Sequence, residues 1–197
     1  MRTLVERPCR ADAAGVELTL LVLSVSTLGL AAVDLASGAV LRSGPDQLKG
    51  LALRPYDVVS ARLAGGTRVP DGTQPEAVTF AAAPRAVRHL TPRRAERWLR
   101  PLLHPEWAHL LGFAGPAIPF WQLDGTRPSV AVVSAHATLG LDDDGLLRCR
   151  FLWRTLVHDL PVAVRRRTRL PSEADRFVVA LTPPVEGHCY KVVTGLL

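Results

Sequence analysis

Hydrophobic and polar positions alternate most cleanly near the C-terminus. In LLRCRFLWRTLVHDLPV, residues 146–162, Cys149, Phe151 and Trp153 fall on one side of an extended chain. Arg148, Arg150 and Arg154 fall on the other, as a period of two requires of a strand with one buried face. A basic, proline-marked turn follows. The runs at 177–182 and 189–194 are too apolar to show a face and read as core strands. Upstream, 18–25, 30–35, 39–42, 58–63 and a short 76–80 read as strands. Between them lie turn signals at 26–29 and at Ala36-Ser37-Gly38.

The period then changes. Thr91 and Pro92 are a helix start, Thr as N-cap and Pro at the first helical position. The helix is expected over 93–103, with Pro101 kinking or shortening it. A second short helix is predicted at 105–111, with Gly112 as its cap. Residues 115–124, GPAIPFWQLD, carry two prolines and read as an irregular covering loop. A strand at 130–137 follows, and the aspartates at 142–144 with Gly145 form a turn. The stretch 171–175 is expected to turn as well.

These elements predict a mainly β protein with a short helical middle. Its β-rich halves are 16–80 and 128–197, and 81–127 is a helical connector. Short strands at close spacing with antiparallel turns favour small barrels or a sandwich over a parallel sheet. The apolar bands at 18–33 and 130–139 are candidates for equivalent first strands of two related halves.

Composition changes this picture in three places. The 197 residues are 48% hydrophobic and 21% charged, in the globular range. The net charge of +6 is carried almost wholly by arginine, since only Lys49 and Lys191 are lysines. Arginine suits bidentate contact with phosphate, but a GC-rich genome produces the same skew together with abundant Ala, Val and Pro. Cys9, Cys149 and Cys189 are odd in number and widely spaced, which argues against a disulfide framework. A buried free thiol at Cys149 and a reducing, cytoplasmic setting are expected. The uncharged stretch 18–33 is short for a membrane span of roughly 20 residues. The acidic Glu6, Asp12 and Glu17 before it do not fit a signal peptide. A strand pair is expected there, and no membrane partner.

A resemblance is carried by AAVDLASGAVLR at 31–42, LRPYDVVSARL at 53–63 and QPEAVTF at 74–80, and by LTPPVEGHCYKVVTGLL at 181–197. In these segments the chain resembles bacterial proteins described as containing a dual OB domain, whose closing strand carries a Tyr-Lys pair among apolar residues. The resemblance touches both ends and about half of the chain. It implies two small OB-like antiparallel barrels, a fold used for oligonucleotides and oligosaccharides, and no catalytic residue.

The sharpest chemical signal is the basic ladder Arg148, Arg150 and Arg154, with Arg165, Arg166, Arg167 and Arg169 in the next loop. These are the candidate contacts to single-stranded nucleic acid, which needs a cationic groove and aromatic stacking platforms. The cations are present, but exposed aromatics are not evident. A solvated face paired with Asp142–Asp144 and Glu173 is the competing reading. Arg93, Arg97 and Arg100 form a second basic stripe at helical spacing. Phe120 and Trp121 are the candidate contacts to a protein partner. No cofactor, metal or catalytic set is expected. The chain has no Walker A loop and no G-x-G-x-x-G or G-x-S-x-G. His188-Cys189 and His158-Asp159 are strand neighbours whose side chains diverge. The expectation is therefore a non-enzymatic binding or accessory module contacting nucleic acid, with a protein-interaction module as the alternative.

Overall fold

The computed structural model describes residues 15–65, 71–164 and 171–197. Among the described residues, eleven strands form two antiparallel sheets. The first is built from β1 (Glu17–Ser26), β2 (Gly29–Asp34), β3 (Val40–Ser43), β4 (Asp57–Arg62) and β5 (Arg85–His89), in the order β3-β2-β1-β4-β5. The second holds β6 (Ala117–Pro119), β7 (Val130–Leu141), β8 (Leu147–Trp153), β9 (Leu156–Pro161), β10 (Glu173–Leu181) and β11 (His188–Leu196). Its order is β6-β11-β10-β7-β8-β9. In each half, then, the first strand lies between the second and the fourth.

The stretch 18–33 is the β1–β2 hairpin, and no helix among the described residues is long and apolar enough to cross a membrane. Gly29 closes this hairpin at φ 112°, and a Cβ there would lie 1.9 Å from the Ser43 carbonyl oxygen. Only glycine fits so close a backbone approach.

Isolated bridges tie separated strands of each sheet together. The segment 76–81 bonds to both sides of the first sheet. Val78 N–H donates to Arg42 O at 2.6 Å, and Ala64 N–H donates to Thr79 O at 2.9 Å. The expected strand at 76–80 is thus present as isolated bridges, parallel to β3 and antiparallel to the end of β4. One of the two sheets is a curled half-barrel, and the second sheet has a bridge of its own. A parallel bridge joins Val162 to Val193, and Ala163 N–H donates to Val193 O at 2.8 Å.

Both faces of β7 are buried at its start, and this explains its unbroken apolar run. Val130 and Val132 enter a core shared with Leu21, Leu23, Val58, Leu99 and Val178. Ala131 and Val133 enter the interior of the second sheet beside Phe151, Phe177 and Val193. The halves are therefore packed on one another, with Leu99 and Ala95 of α1 (Pro92–Leu99) in the shared core. Gly195 of β11 lies against β1 so closely that a Cβ would meet Ser24 Cβ at 2.6 Å. Beside it the Ser24 and Thr194 hydroxyls are 3.0 Å apart.

A polar network crosses the same junction. Ser129 donates to Glu76 from its N–H at 2.6 Å and from its hydroxyl at 2.8 Å. Arg42 Nη1 donates to Ser129 Oγ at 2.8 Å and to Leu181 O at 3.0 Å. Burial pulls the Arg42 guanidinium below its ordinary value, and the nearby Glu76 charge opposes that shift. A cavity of about 10 Å³ here, lined in part by Ser24, Arg42 and Thr194, has room for about one water and not for a substrate.

Several expectations are corrected. Residues 146–162 are a hairpin, because Arg154 turns the chain at φ 57° between β8 and β9. The helix ends at Leu99, where Pro101 leaves only a 3-10 turn over Arg100–Leu102. Thr91 begins it with extended backbone but makes no side-chain cap. No α-helix forms at 105–111; a 3-10 turn over Leu110–Gly112 buries Leu110 and Leu111 instead. Residues 115–124 are not wholly irregular, since β6 adds an edge strand to β11. The stretch 171–175 is not a turn throughout: Glu173 and Ala174 already pair with Thr138 and Ala137.

Candidate docking surface

The alternation in β8 is as its sequence implies. Cys149, Phe151 and Trp153 are buried, and burial pushes the Cys149 thiol up to about 12. On the outer face Arg148 and Arg150 converge on one carboxylate. Arg148 Nε donates to Asp159 Oδ1 at 3.0 Å, and Arg150 Nη2 donates to Asp159 Oδ2 at 2.9 Å. Arg148 Nη2 also donates to the Asp159 carbonyl at 2.7 Å. The Arg150 and Arg148 hydrogen bonds hold the Asp159 carboxyl below its usual range against a smaller opposing effect of burial. The partner of the ladder is thus Asp159 on β9, and not the 142–144 turn or Glu173.

Arg154 lies past the strand end and donates from Nη1 to His109 Nε2 at 3.1 Å. It does not continue the ladder. Arg165, Arg166, Arg167 and Arg169 lie outside the described residues, as does Cys9. As the sequence implied, His158 and Asp159 diverge. His158 is buried and stacks on Phe151 at 5.3 Å between centroids, while Asp159 faces outward to the arginines.

Exposed aromatics are present, contrary to the sequence reading. Four rings form a continuous chain on the outside of the second sheet. Phe120 meets Trp121 edge-on at 5.5 Å, Trp121 meets His188 at 6.1 Å, and His188 meets Tyr190 at 6.4 Å. Trp121 is 66% exposed, Phe120 45% and Tyr190 38%.

Local structure explains why these rings are outside. Pro119 ends the edge strand β6, where its missing donor costs nothing. A 3-10 turn over Phe120–Gln122 then lifts both rings off the sheet. On β11 the alternation sends Cys189 and Lys191 inward and Tyr190 outward. Glu186 and Gly187, at φ 49° and 81°, make the two-residue turn before β11. Val185 and His188 exchange backbone bonds of 2.8 and 3.0 Å across that turn. Paired positive φ angles match the twist of the flanking strands. Gly187 sits beneath Trp121, where a Cβ would be 3.6 Å from the ring.

Glu186 lies in the turn two residues before His188, and Asp124, which follows the 3-10 turn, has the Arg127 charge near it. The arginine–ring contacts among the described residues lie elsewhere, Arg97 over Trp98 and Arg127 over Phe113.

The second half also buries a basic group. Lys191 is 1% exposed, and its ammonium donates to the Phe113 carbonyl. Among the described residues no carboxylate pairs with it. Burial pulls its pKa down to about 8. His104 and His158 are also pulled down, first by burial and also by the Lys191 charge. Lys191 sits in an apolar stretch, and nothing in the sequence distinguished it from a lysine reaching solvent. The described residues contain no group of three or more His, Cys, Asp or Glu able to hold a metal ion.

Comparison with family models, with curated proteins and with solved structures returned no match for this chain.

Proposed function

We propose that the chain is a non-enzymatic interaction module of two OB-like halves, and that it docks on a protein through the Phe120–Trp121–His188–Tyr190 strip. Strand order supports the OB-like part of this reading. In both halves the first strand lies between the second and fourth. The third strand also meets the closing segment in parallel, Arg42 with Ala77 and Val162 with Val193. That is the circular order of a five-stranded Greek-key barrel, and it accords with the resemblance to dual OB proteins.

One observation carries the functional reading: Phe120, Trp121, His188 and Tyr190 stand outside as a connected row of rings, whereas the other strongly exposed tryptophan, Trp107, has no ring contact among the described residues. Tryptophan and tyrosine supply a large contact area at little entropic cost, and they are enriched where interfaces hold most of their energy. The Glu186 carboxylate, two residues before His188, opposes a phosphodiester there, and the rings favour a polypeptide with an apolar segment. Arg148 and Arg150 support nucleic-acid contact less well, because Asp159 already takes both guanidinium groups.

Affinity capture of partners from the native cytosol tests this with three baits. The wild-type chain and the Arg148→Gln/Arg150→Gln variant are expected to retain the same polypeptide, and Trp121→Ala to lose it. Retention by Trp121→Ala, or recovery of nucleic acid alone, would refute the proposal.

A further inference from the structure

The connector holds a charge imbalance that the docking surface does not use. Residues 85–100 carry six of the chain's 22 arginines: Arg85, Arg88, Arg93, Arg94, Arg97 and Arg100. All six are exposed, and among the described residues none is in an ion pair. The only carboxylate in this stretch is Glu96. Both of its oxygens are taken by Arg176 of β10, at 2.6 and 3.4 Å. The imbalance is therefore not neutralised locally, in contrast to the ladder held by Asp159.

The helix fixes where these charges point. Ala95 and Leu99 are buried in the shared core, and Trp98 anchors the helix by donating to the Leu35 carbonyl at 3.3 Å. Arg93, Arg97 and Arg100 then recur on the opposite, wet face at spacings of four and three residues. A rise of about 1.5 Å per residue places them roughly 6 and 4.5 Å apart along the axis, of the same order as successive phosphates on an extended strand. The Arg97 guanidinium carbon lies over the Trp98 ring, 3.7 Å from its centroid. That contact holds one guanidinium plane in place without consuming its hydrogen bonds.

We infer that the outer face of α1, with Arg93, Arg97 and Arg100 at its centre, is a binding site for the phosphodiester backbone of a single-stranded nucleic acid. Planar guanidinium groups held in a row engage phosphate oxygens bidentately and read no sequence. An acidic polypeptide or an anionic lipid surface would draw on the charge without using the row. This site is separate from the aromatic strip and does not depend on it.

The test is fluorescence anisotropy of the full chain with a labelled oligothymidylate of about 16 nucleotides, over a salt series. Two triple variants remove equal charge: Arg93→Gln/Arg97→Gln/Arg100→Gln, and Arg148→Gln/Arg150→Gln/Arg154→Gln. The first is expected to weaken binding at least tenfold. It should flatten the slope of log affinity against log salt by about 2, at roughly 0.7 per lost phosphate contact. The second triple and Trp121→Ala are expected to leave binding within twofold. Thermal melts check that each variant is folded, and Arg93→Glu replaces the first triple if that triple unfolds. Equal losses in the two triples would reduce the effect to net charge and overturn the site. So would absence of wild-type binding at low salt, loss with Trp121→Ala, or binding confined to poly-glutamate or phosphatidylserine vesicles.

Discussion

Replacing Lys191 with methionine is expected to stabilise the protein at neutral pH. The ammonium is buried and donates to one carbonyl, its charge acts on His104 and His158, and no carboxylate pairs with it among the described residues. Its pKa of about 8 lies well below the ordinary 10.5. At ~1.4 kcal/mol per unit, keeping the charged form buried costs about 3 kcal/mol below pH 8. Methionine fills a similar volume without that charge, but it loses the hydrogen bond to the Phe113 carbonyl, worth about 1 kcal/mol. The net expectation is a gain of about 2 kcal/mol at pH 7, or a rise of roughly 4–8 °C in melting temperature for a chain of this size.

The pH dependence gives a sharper test. From about pH 8 to 10.5 the unfolded chain still binds the lysine proton and the folded chain has lost it, so wild-type stability rises with pH across that window. The advantage of Lys191→Met should therefore be full at pH 7 and shrink steadily toward pH 10. Cys149 and Tyr56 are both pushed up by burial and also titrate at alkaline pH, but they are common to the two proteins and cancel in the difference. Urea titrations of both proteins from pH 6.5 to 10 read this directly. A variant less stable than wild type at pH 7, or a difference that does not change with pH, would refute the reasoning.

Two further outcomes are expected. Glu76→Ala should cost about 3 kcal/mol by urea unfolding, because it strips Ser129 of its acceptor and leaves the buried Arg42 only the weaker influence of Asp71 as counter-charge. Gly195→Val should drive a side chain into Ser24 and force β1 from β11, costing about 1–3 kcal/mol in the same assay; an unchanged midpoint would show that the halves are not tightly apposed.

Much of the strand inventory was legible, because local chemistry decides it. The turn residues at 36–38 and 142–145 and the alternation of Cys149, Phe151 and Trp153 each act over a few positions. The β8–β9 hairpin was hidden because its turn rests on Arg154 at positive φ, and no glycine or asparagine marks it. The helix expected at 105–111 failed for a tertiary reason: Leu110, Leu111 and the Ala108 carbonyl are used to cover Trp153, whose indole donates to Ala108 O at 2.9 Å.

For the candidate site the limit was partnership across the sheet. Arg148 and Arg150 lie on β8 and Asp159 on β9, and only the register of the two strands brings them together. Phe120 and Trp121 were visible as an apolar pair, but His188 and Tyr190 join them only because β6 pairs with β11. Lys191 was equally hidden, since its burial depends on the segment ending at Phe113 that lies over it.

The most direct measurement is photo-crosslinking from benzoylphenylalanine placed at position 121, with position 87 on the exposed strand β5 as the control. Docking through the aromatic strip predicts one polypeptide adduct from position 121, absent from position 87 and suppressed by Tyr190→Ala. Adducts of equal yield from both positions, or nucleic-acid adducts from position 121, would contradict it.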